Sequence, residues 1–257
     1  MDSNMERWTN RVAIVTGASS GIGASIAKLL VENGLRVVGV ARRVERVKQL
    51  ASDLKGAKGE LHPVQGDVSV EEDVKRVVQW TRENLGGADI LVNNAGVNRY
   101  GKLSEQSSDD VKKIFDTNVI ALTVFTREVV QDMKSRGISD GHIFNINSIC
   151  GHYVSEYPTG YIYTASKHAV TVLTEGLRRE LRDMQTKIRV TSISPGLVKT
   201  EISVASGLSE EVAAKKYEEN PCLLPEDIAQ ALLYALQAPP HVQVHELIIR
   251  ATGEFIL

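Results

Sequence analysis

Residues 11–23 read RVAIVTGASSGIG, and this stretch decides the fold. Val12, Ala13, Ile14 and Val15 make a short apolar run before Thr16, which predicts a buried strand over 11–16. Three glycines follow, Gly17, Gly21 and Gly23, where that strand must turn into a helix spanning 21–33. Without Cβ atoms the backbone there can approach a pyrophosphate closely. The helix N-terminus adds free N–H groups and positive potential for the anion. The spacing is G-x-x-x-G-x-G, not the common dinucleotide pattern G-x-G-x-x-G. Gly34 stands where a helix commonly ends in a left-handed residue.

Outward from this unit the same rhythm repeats. Further strands are predicted over 36–40, 61–65, 89–92, 142–146, 188–193 and 246–250. Helices are predicted over 44–54, 70–84, 109–136, 161–184 (entered after Pro158 and Gly160), 209–219 and 226–237. Strands alternating with helices imply a parallel sheet covered on both faces. Right-handed crossovers then give an α/β fold, a single Rossmann-type doubly wound sheet. No linker, repeat or low-complexity tract divides the chain, so one domain over 1–257 is expected. Residues 201–225 interrupt the rhythm and are the candidate substrate-covering segment. Its apolar residues Ile202, Val204, Leu208, Leu223 and Leu224 suit a greasy substrate; core or dimer packing explains them equally well.

Composition narrows the class. The 257 residues are 42% hydrophobic and 24% charged, ordinary for a water-soluble domain, and the net charge of -2 argues against nucleic acid as a partner. Cys150 and Cys222 form no CxxC pair, so neither a zinc site nor a disulfide framework is expected. No His/Cys/carboxylate cluster calls for a metal. The first ten residues lack an apolar core, no run is long enough to span a membrane, and Phe255-Ile256-Leu257 is no recognisable address. A cytoplasmic protein is the expectation.

Strand two ends in Val40-Ala41-Arg42-Arg43. An NAD site would place a carboxylate there for the ribose 2′-hydroxyl; this chain offers two guanidiniums, whose fork suits a phosphate. NADP(H) is therefore favoured. Cations at a helix start oppose its dipole, so these arginines have some other reason to be there.

Tyr163 and Lys167 lie four apart in a predicted helix and share one face. An ammonium beside a phenol favours phenolate, which would make Tyr163 a general acid/base. Tyr161, six residues from Lys167, shares the face less well. Ser148 follows strand five, at the carboxyl edge where doubly wound sheets bind ligands, and could hold a substrate oxygen. Asn93-Asn94-Ala95-Gly96 ends strand four, where asparagines also serve as turn residues.

Together these residues resemble the short-chain dehydrogenase/reductase family over nearly the whole chain. The matching motifs are TGxxxGxG (Thr16–Gly23), NNAG (93–96), Asn118 within Asp116-Thr117-Asn118-Val119, Ser148, YxxxK (Tyr163 to Lys167) and the Pro195-Gly196-Leu197-Val198-Lys199-Thr200 segment. The resemblance implies Tyr163 as acid/base and Lys167 as the residue that lowers its pKa and holds the nicotinamide ribose. It implies Ser148 as the group orienting the substrate oxygen and Asn118 as holder of a relay water. For the cofactor it implies Gly17, Ser19, Ser20, Gly21, Ile22 and Gly23 as the phosphate loop. Asp67 and Val68 would lie at the adenine, Asn94, Ala95 and Gly96 beside the cofactor, and Pro195, Gly196, Val198 and Thr200 at the carboxamide side. Arg42, with Arg43 next to it, matches the 2′-phosphate position of NADP-preferring members; the glycine loop lacks the basic residue some of them carry.

Met5-Glu6-Arg7-Trp8, Asp140-Gly141-His142-Ile143, Ser148-Ile149-Cys150-Gly151-His152 and Leu173-Thr174-Glu175-Gly176-Leu177-Arg178 resemble one subgroup. It contains insect NADP-dependent farnesol dehydrogenases and vertebrate ketosteroid and dicarbonyl reductases. The implied substrate is a lipophilic alcohol or carbonyl, and the implied assembly a homodimer or homotetramer. A 3-oxoacyl-carrier reductase shares every motif, and a non-catalytic NADPH-sensing protein would share the fold.

Overall fold

The computed structural model describes residues 3–154 and 159–254. Pro158 and Phe255-Ile256-Leu257 lie outside the described residues. In chain order the elements are α1 (Ser3–Glu6), β1 (Val12–Thr16), α2 (Gly21–Glu32), β2 (Arg36–Ala41), α3 (Val44–Asp53), β3 (Glu60–Gln65), α4 (Glu71–Leu85) and β4 (Ile90–Asn93). They continue with α5 (Ser108–Phe115), a π turn (Asp116–Ile120), α6 (Ala121–Ser135), β5 (His142–Ile146), a 3-10 turn (Ile149–Gly151) and α7 (Tyr161–Asp183). Last come β6 (Arg189–Pro195), α8 (Ile202–Ala205), α9 (Glu210–Glu219), α10 (Pro225–Gln237) and β7 (Glu246–Ile249).

The strands form one seven-stranded sheet, ordered β3-β2-β1-β4-β5-β6-β7, with every pairing parallel. A parallel sheet must bury both faces, and β1 displays the rule. Ala13 and Val15 enter a core shared with Ile26 and Leu30 of α2 and Ile228 and Leu232 of α10. Val12 and Ile14 enter the opposite core with Val74 and Val77 of α4 and Phe125 and Val129 of α6. The doubly wound α/β fold read from the sequence is the observed one. The order reverses between β1 and β4, the switch point at which such sheets open a crevice beyond their carboxyl ends.

Two departures from the sequence reading have clear causes. The polar first ten residues contribute to the core: Met5 and Trp8 are buried, and Trp8 Nε1 donates to the Leu236 carbonyl at 3.1 Å. Arg7 Nη2 donates to the Leu236 and Ala238 carbonyls, and Arg189 reaches those of Ala235, Leu236, Ala238 and Val242. The unpaired carbonyls at the end of α10 thus find donors far away in sequence. The helix expected over 109–136 is interrupted by the π turn, in which the Ala121 N–H reaches back five residues to the Asp116 carbonyl. Apolar periodicity survives the insertion of one residue into a turn, so the pattern alone could not show it.

Candidate active site

The glycine loop leaves β1 with Gly17 at φ +69°, a left-handed conformation that favours glycine. Gly23, in the first turn of α2, approaches so closely that a Cβ would collide with the Gly17 carbonyl and the Asn94 amide. Asn94 Nδ2 donates to the Thr16 carbonyl at 2.8 Å, while the Asn94 and Ala95 N–H groups donate to Thr16 Oγ1, each at 3.0 Å. Thr16 and Asn94 therefore brace the loop from beneath. Ser20 precedes α2 without a side-chain cap, and the first turn holds no acidic residue. Its N–H groups and positive dipole end remain available to an anion.

Above this loop lies a cleft of about 1530 Å³ along the carboxyl edge of the sheet. Single small-molecule sites are usually about 300–1,000 Å³, so the cleft has room for a dinucleotide and a second ligand. Its walls include Gly17, Ser19, Ser20, Gly21 and Ile22 from the loop, and Arg42 and Arg43 beyond β2. Asp67, Val68, Asn94, Ala95 and Gly96 follow β3 and β4; Pro195, Gly196, Val198 and Thr200 end β6 and the turn after it. Ser148, Tyr163 and Lys167 also line it. Of the residues singled out from the sequence, Gly23 and Asn118 stand behind the wall.

The Ser148 hydroxyl and the Tyr163 phenol adjoin each other. Ser148 Oγ also accepts the Cys150 N–H at 3.1 Å, which fixes the hydroxyl at the start of the 3-10 turn. One turn along α7, the Lys167 ammonium donates to the Ile146 carbonyl at 2.9 Å and lies 5.6 Å from the Tyr163 ring centroid. Asn118 sits in the π turn. Its amide exchanges two hydrogen bonds with the Val97 backbone (2.8 and 2.9 Å) and donates to Ser166 Oγ at 3.0 Å. Ser166 Oγ in turn donates to the Tyr163 carbonyl at 2.6 Å. Asn118 thus ties the loop after β4 to the turn of α7 that carries Tyr163.

The electrostatics of this pair differ from the sequence reading. Burial pulls the Lys167 ammonium down from 10.5 to about 8, with Cys150 acting weakly in the other direction. Burial likewise pushes the Tyr163 phenol above its ordinary value; Cys150 and Tyr100 add to the rise, and the Ser148 hydrogen bond opposes it. The expected depression of Tyr163 by Lys167 is absent from the free protein, because desolvation disfavours both charged forms at once.

At the far end of the cleft, β2 ends at Ala41, and the next residue, Arg42, is exposed, its Nη1 3.9 Å from Asp67 Oδ2. Arg43 donates to Ser20 Oγ and Glu201 Oε2, each at 3.1 Å. That pairing answers why a cation sits at the start of α3. Glu201, Thr16 and Ser166 are the structurally engaged residues to which the sequence gave no role. Thr16 was inside a quoted motif, whereas Glu201 carries no local signal.

Residues 201–225 fold back over the cleft. Tyr217 Oη donates to the Thr200 carbonyl at 2.9 Å, and Lys216 Nζ reaches Tyr100 Oη at 3.4 Å. Val198 and Leu223 form a parallel bridge. Ile202 and Leu208 line the cleft beside Ile149 and Cys150. Leu223 packs on the core instead, and Val204 and Leu224 are exposed.

Comparison with known proteins places this geometry. The family described as short chain dehydrogenase matches residues 11–211. The chain belongs to the short-chain dehydrogenase/reductase family, and is an oxidoreductase of that family. Dehydrogenase/reductase SDR family member 11 of Mus musculus is 48% identical to it over 98% of each chain. Farnesol dehydrogenase of Aedes aegypti is 49% identical over 97% of this chain and 99% of that one. The alcohol dehydrogenase of Thermococcus sibiricus, solved with 5-hydroxy-NADP, superposes with a TM-score of 0.83 at 26% identity, covering 96% of this chain and 99% of that one. Among the described residues, no helix of this short-chain dehydrogenase is long and apolar enough to cross a membrane.

Proposed function

We propose that this short-chain dehydrogenase uses NADP(H) to interconvert a lipophilic alcohol and its carbonyl, with a prenyl alcohol such as farnesol as the leading substrate class. The observation that carries the reading is the adjoining Ser148 and Tyr163 hydroxyls with the Lys167 ammonium one turn away, facing a cleft that also holds an anion-ready helix N-terminus. Ser148 holds the substrate oxygen. Tyr163 takes the hydroxyl proton in oxidation and returns it in reduction. Lys167 holds the nicotinamide ribose and sets the charge felt by the phenol, and Asn118 positions the pair and the relay water beside it. When bound, NADP(H) accepts or supplies the hydride and, oxidised, adds a positive charge.

The residues present fit that cofactor. The cradle between Gly17 and Gly23 is one a Cβ would fill, and α2 presents an uncapped N-terminus. Arg42 keeps an exposed guanidinium, next to Ala41 where an NAD enzyme would carry a carboxylate. Gly21, Ser19 and Ile22 complete the phosphate loop. Asp67 and Val68 flank adenine, and Val198 and Thr200 face the carboxamide. The name of the Aedes relative supports farnesol, and Ile149, Ile202 and Leu208 supply an apolar wall for it. The 257 residues act as one domain with 201–225 as its covering segment. The exposed Ile120 and Val172 on the long helices suit a homodimer or homotetramer.

Kinetics with NADP⁺ and NADPH against farnesol, other prenyl alcohols, ketosteroids and diketones test the reading. Turnover of farnesol linked to NADP⁺ is the expected result. Failure to turn over any of these classes with either cofactor would remove it.

A further inference from the structure

Three elements distant in sequence converge at one edge of the cleft: Ser20 before α2, Arg43 and Arg46 at the start of α3, and Glu201 just beyond Thr200. Arg43 Nη2 donates to Ser20 Oγ and to Glu201 Oε2, each at 3.1 Å. Arg46 Nη1 donates to both Glu201 oxygens, at 2.7 and 2.9 Å. Among the described residues, Glu201 is the one carboxylate paired with either arginine. Its carboxyl is held below the usual range, chiefly by Arg46 and then by Arg43. Arg42, adjacent in sequence, makes only a 3.9 Å approach to Asp67.

Two guanidiniums around one anion, with a serine hydroxyl on one of them, form a set that a phosphate monoester takes. Here the anion is a side chain, and it belongs to the segment that folds over the cleft. A phosphate carries nearly twice the charge of a carboxylate and more acceptor oxygens, so it is the better partner for two cations. All three side chains are about half exposed, so the carboxylate can leave for water.

We propose that Glu201 stands in for the cofactor's 2′-phosphate in the free protein, and that the phosphate displaces it from Arg43 and Arg46, untethering the start of the covering segment. This rests on the NADP(H) reading above. Glu201 is thereby a specificity-determining residue that holds NADPH affinity down and leaves NADH, which has no phosphate to offer, unaffected. It also makes Arg46, outside the cleft wall itself, a partner of the phosphate. The segment's other ties, Tyr217 to Thr200 and Lys216 to Tyr100, lie on the substrate side and persist.

The test is fluorescence titration of wild type and Glu201→Gln with NADPH and NADH, at low and high salt. Exposed ion pairs are weak, each worth up to about fivefold in an equilibrium constant. Glu201→Gln should therefore bind NADPH about three- to tenfold more tightly, with NADH affinity unchanged within about twofold. High salt should shrink the gain, since exposed charges are screened. If wild type prefers NADPH but Glu201→Gln binds it no better, or gains equally for NADH, the displacement idea fails alone. A wild type that does not distinguish the two cofactors overturns the NADP(H) reading and the displacement idea with it.

Discussion

Replacing Lys167 by methionine should make the protein more stable while destroying its chemistry. Lys167 is 5% exposed, and among the described residues its ammonium has one hydrogen bond, to the Ile146 carbonyl at 2.9 Å. Burial lowers its pKa from 10.5 to about 8. At 1.36 kcal/mol per pKa unit, the folded state disfavours the ammonium by about 3 kcal/mol relative to the unfolded chain. Losing the charged hydrogen bond returns about 1.5–3 kcal/mol of that. The net gain for Lys167→Met is about 1 kcal/mol at pH 7, or a rise in Tm of about 2–4 °C for a chain of this size. Because the folded pKa of this base is depressed, the wild-type penalty is complete below about pH 8. It fades as pH rises toward 10.5, where neither state holds the proton. By pH 10 no more than about 1 kcal/mol remains, so the variant's advantage should vanish or reverse. Urea unfolding of both proteins at pH 7 and pH 10 reads the change directly, since other titrating groups cancel in the difference. A variant less stable than wild type at pH 7, or a difference that does not move with pH, would refute the argument that burial governs this lysine.

Three further outcomes follow from other parts of the molecule. Tyr163→Phe should lower kcat by at least about a hundredfold, the usual range for loss of a general acid/base being 10²–10⁴. NADPH affinity should stay within about threefold, since the phenol sits beside Ser148 rather than at the glycine loop; retained turnover in a stopped assay would exclude the role. Ala41→Asp combined with Arg42→Ala should move the kcat/KM ratio of NADPH to NADH toward NADH by about tenfold or more, the equivalent of about 1.4 kcal/mol or above; an unchanged ratio would count against Arg42. Arg189→Leu should cost about 2–3 kcal/mol in urea unfolding, because it strips the donor from the Val242 carbonyl, which nothing else described satisfies, and leaves the Ala235 carbonyl only the Ala238 N–H at 3.4 Å. The opposite signs expected for Arg189 and Lys167, both buried cations, come from the four carbonyls one serves and the single carbonyl served by the other.

The layered fold was legible because the inner strands β1, β2 and β4 bury both faces and read as apolar runs, while the helices between them carry apolar stripes. The cleft was legible because Gly17, Ser148, Tyr163 and Lys167 sit at fixed offsets from strand ends and helix turns. What stayed hidden depends on long-range partners. Nothing around Glu201 in the sequence announces Arg43 and Arg46, 155 or more residues away. Met5 and Trp8 lie in a polar stretch and gained their burial from α10. The π turn that seats Asn118 alters hydrogen bonding without altering periodicity. Of five apolar residues in 201–225 that looked alike, Ile202 and Leu208 face the cleft while Leu223 serves the core, a division set by the fold-back of the segment rather than by hydrophobicity.

The pH behaviour of the active pair follows from a single cause acting on two groups of opposite charge type. Desolvation raises a phenol and lowers an ammonium, so in the free protein both groups move toward their neutral forms. Neither can then stabilise the other's charge as an isolated ion pair in water would. For reduction this is no handicap, since a protonated phenol beside Ser148 is the form that donates to a developing alkoxide. Oxidation needs the phenolate, and Lys167 alone, titrating near 8, provides only part of the positive charge required at neutral pH. Any further positive charge held in the cleft lowers the phenol and, by repulsion, lowers the lysine further. The pH profile of oxidation should therefore rise toward alkaline pH while that of reduction stays flat or falls. Opposite slopes in the two directions, measured on one preparation, would mark Tyr163 as the titrating group; parallel slopes would assign the proton to some other residue.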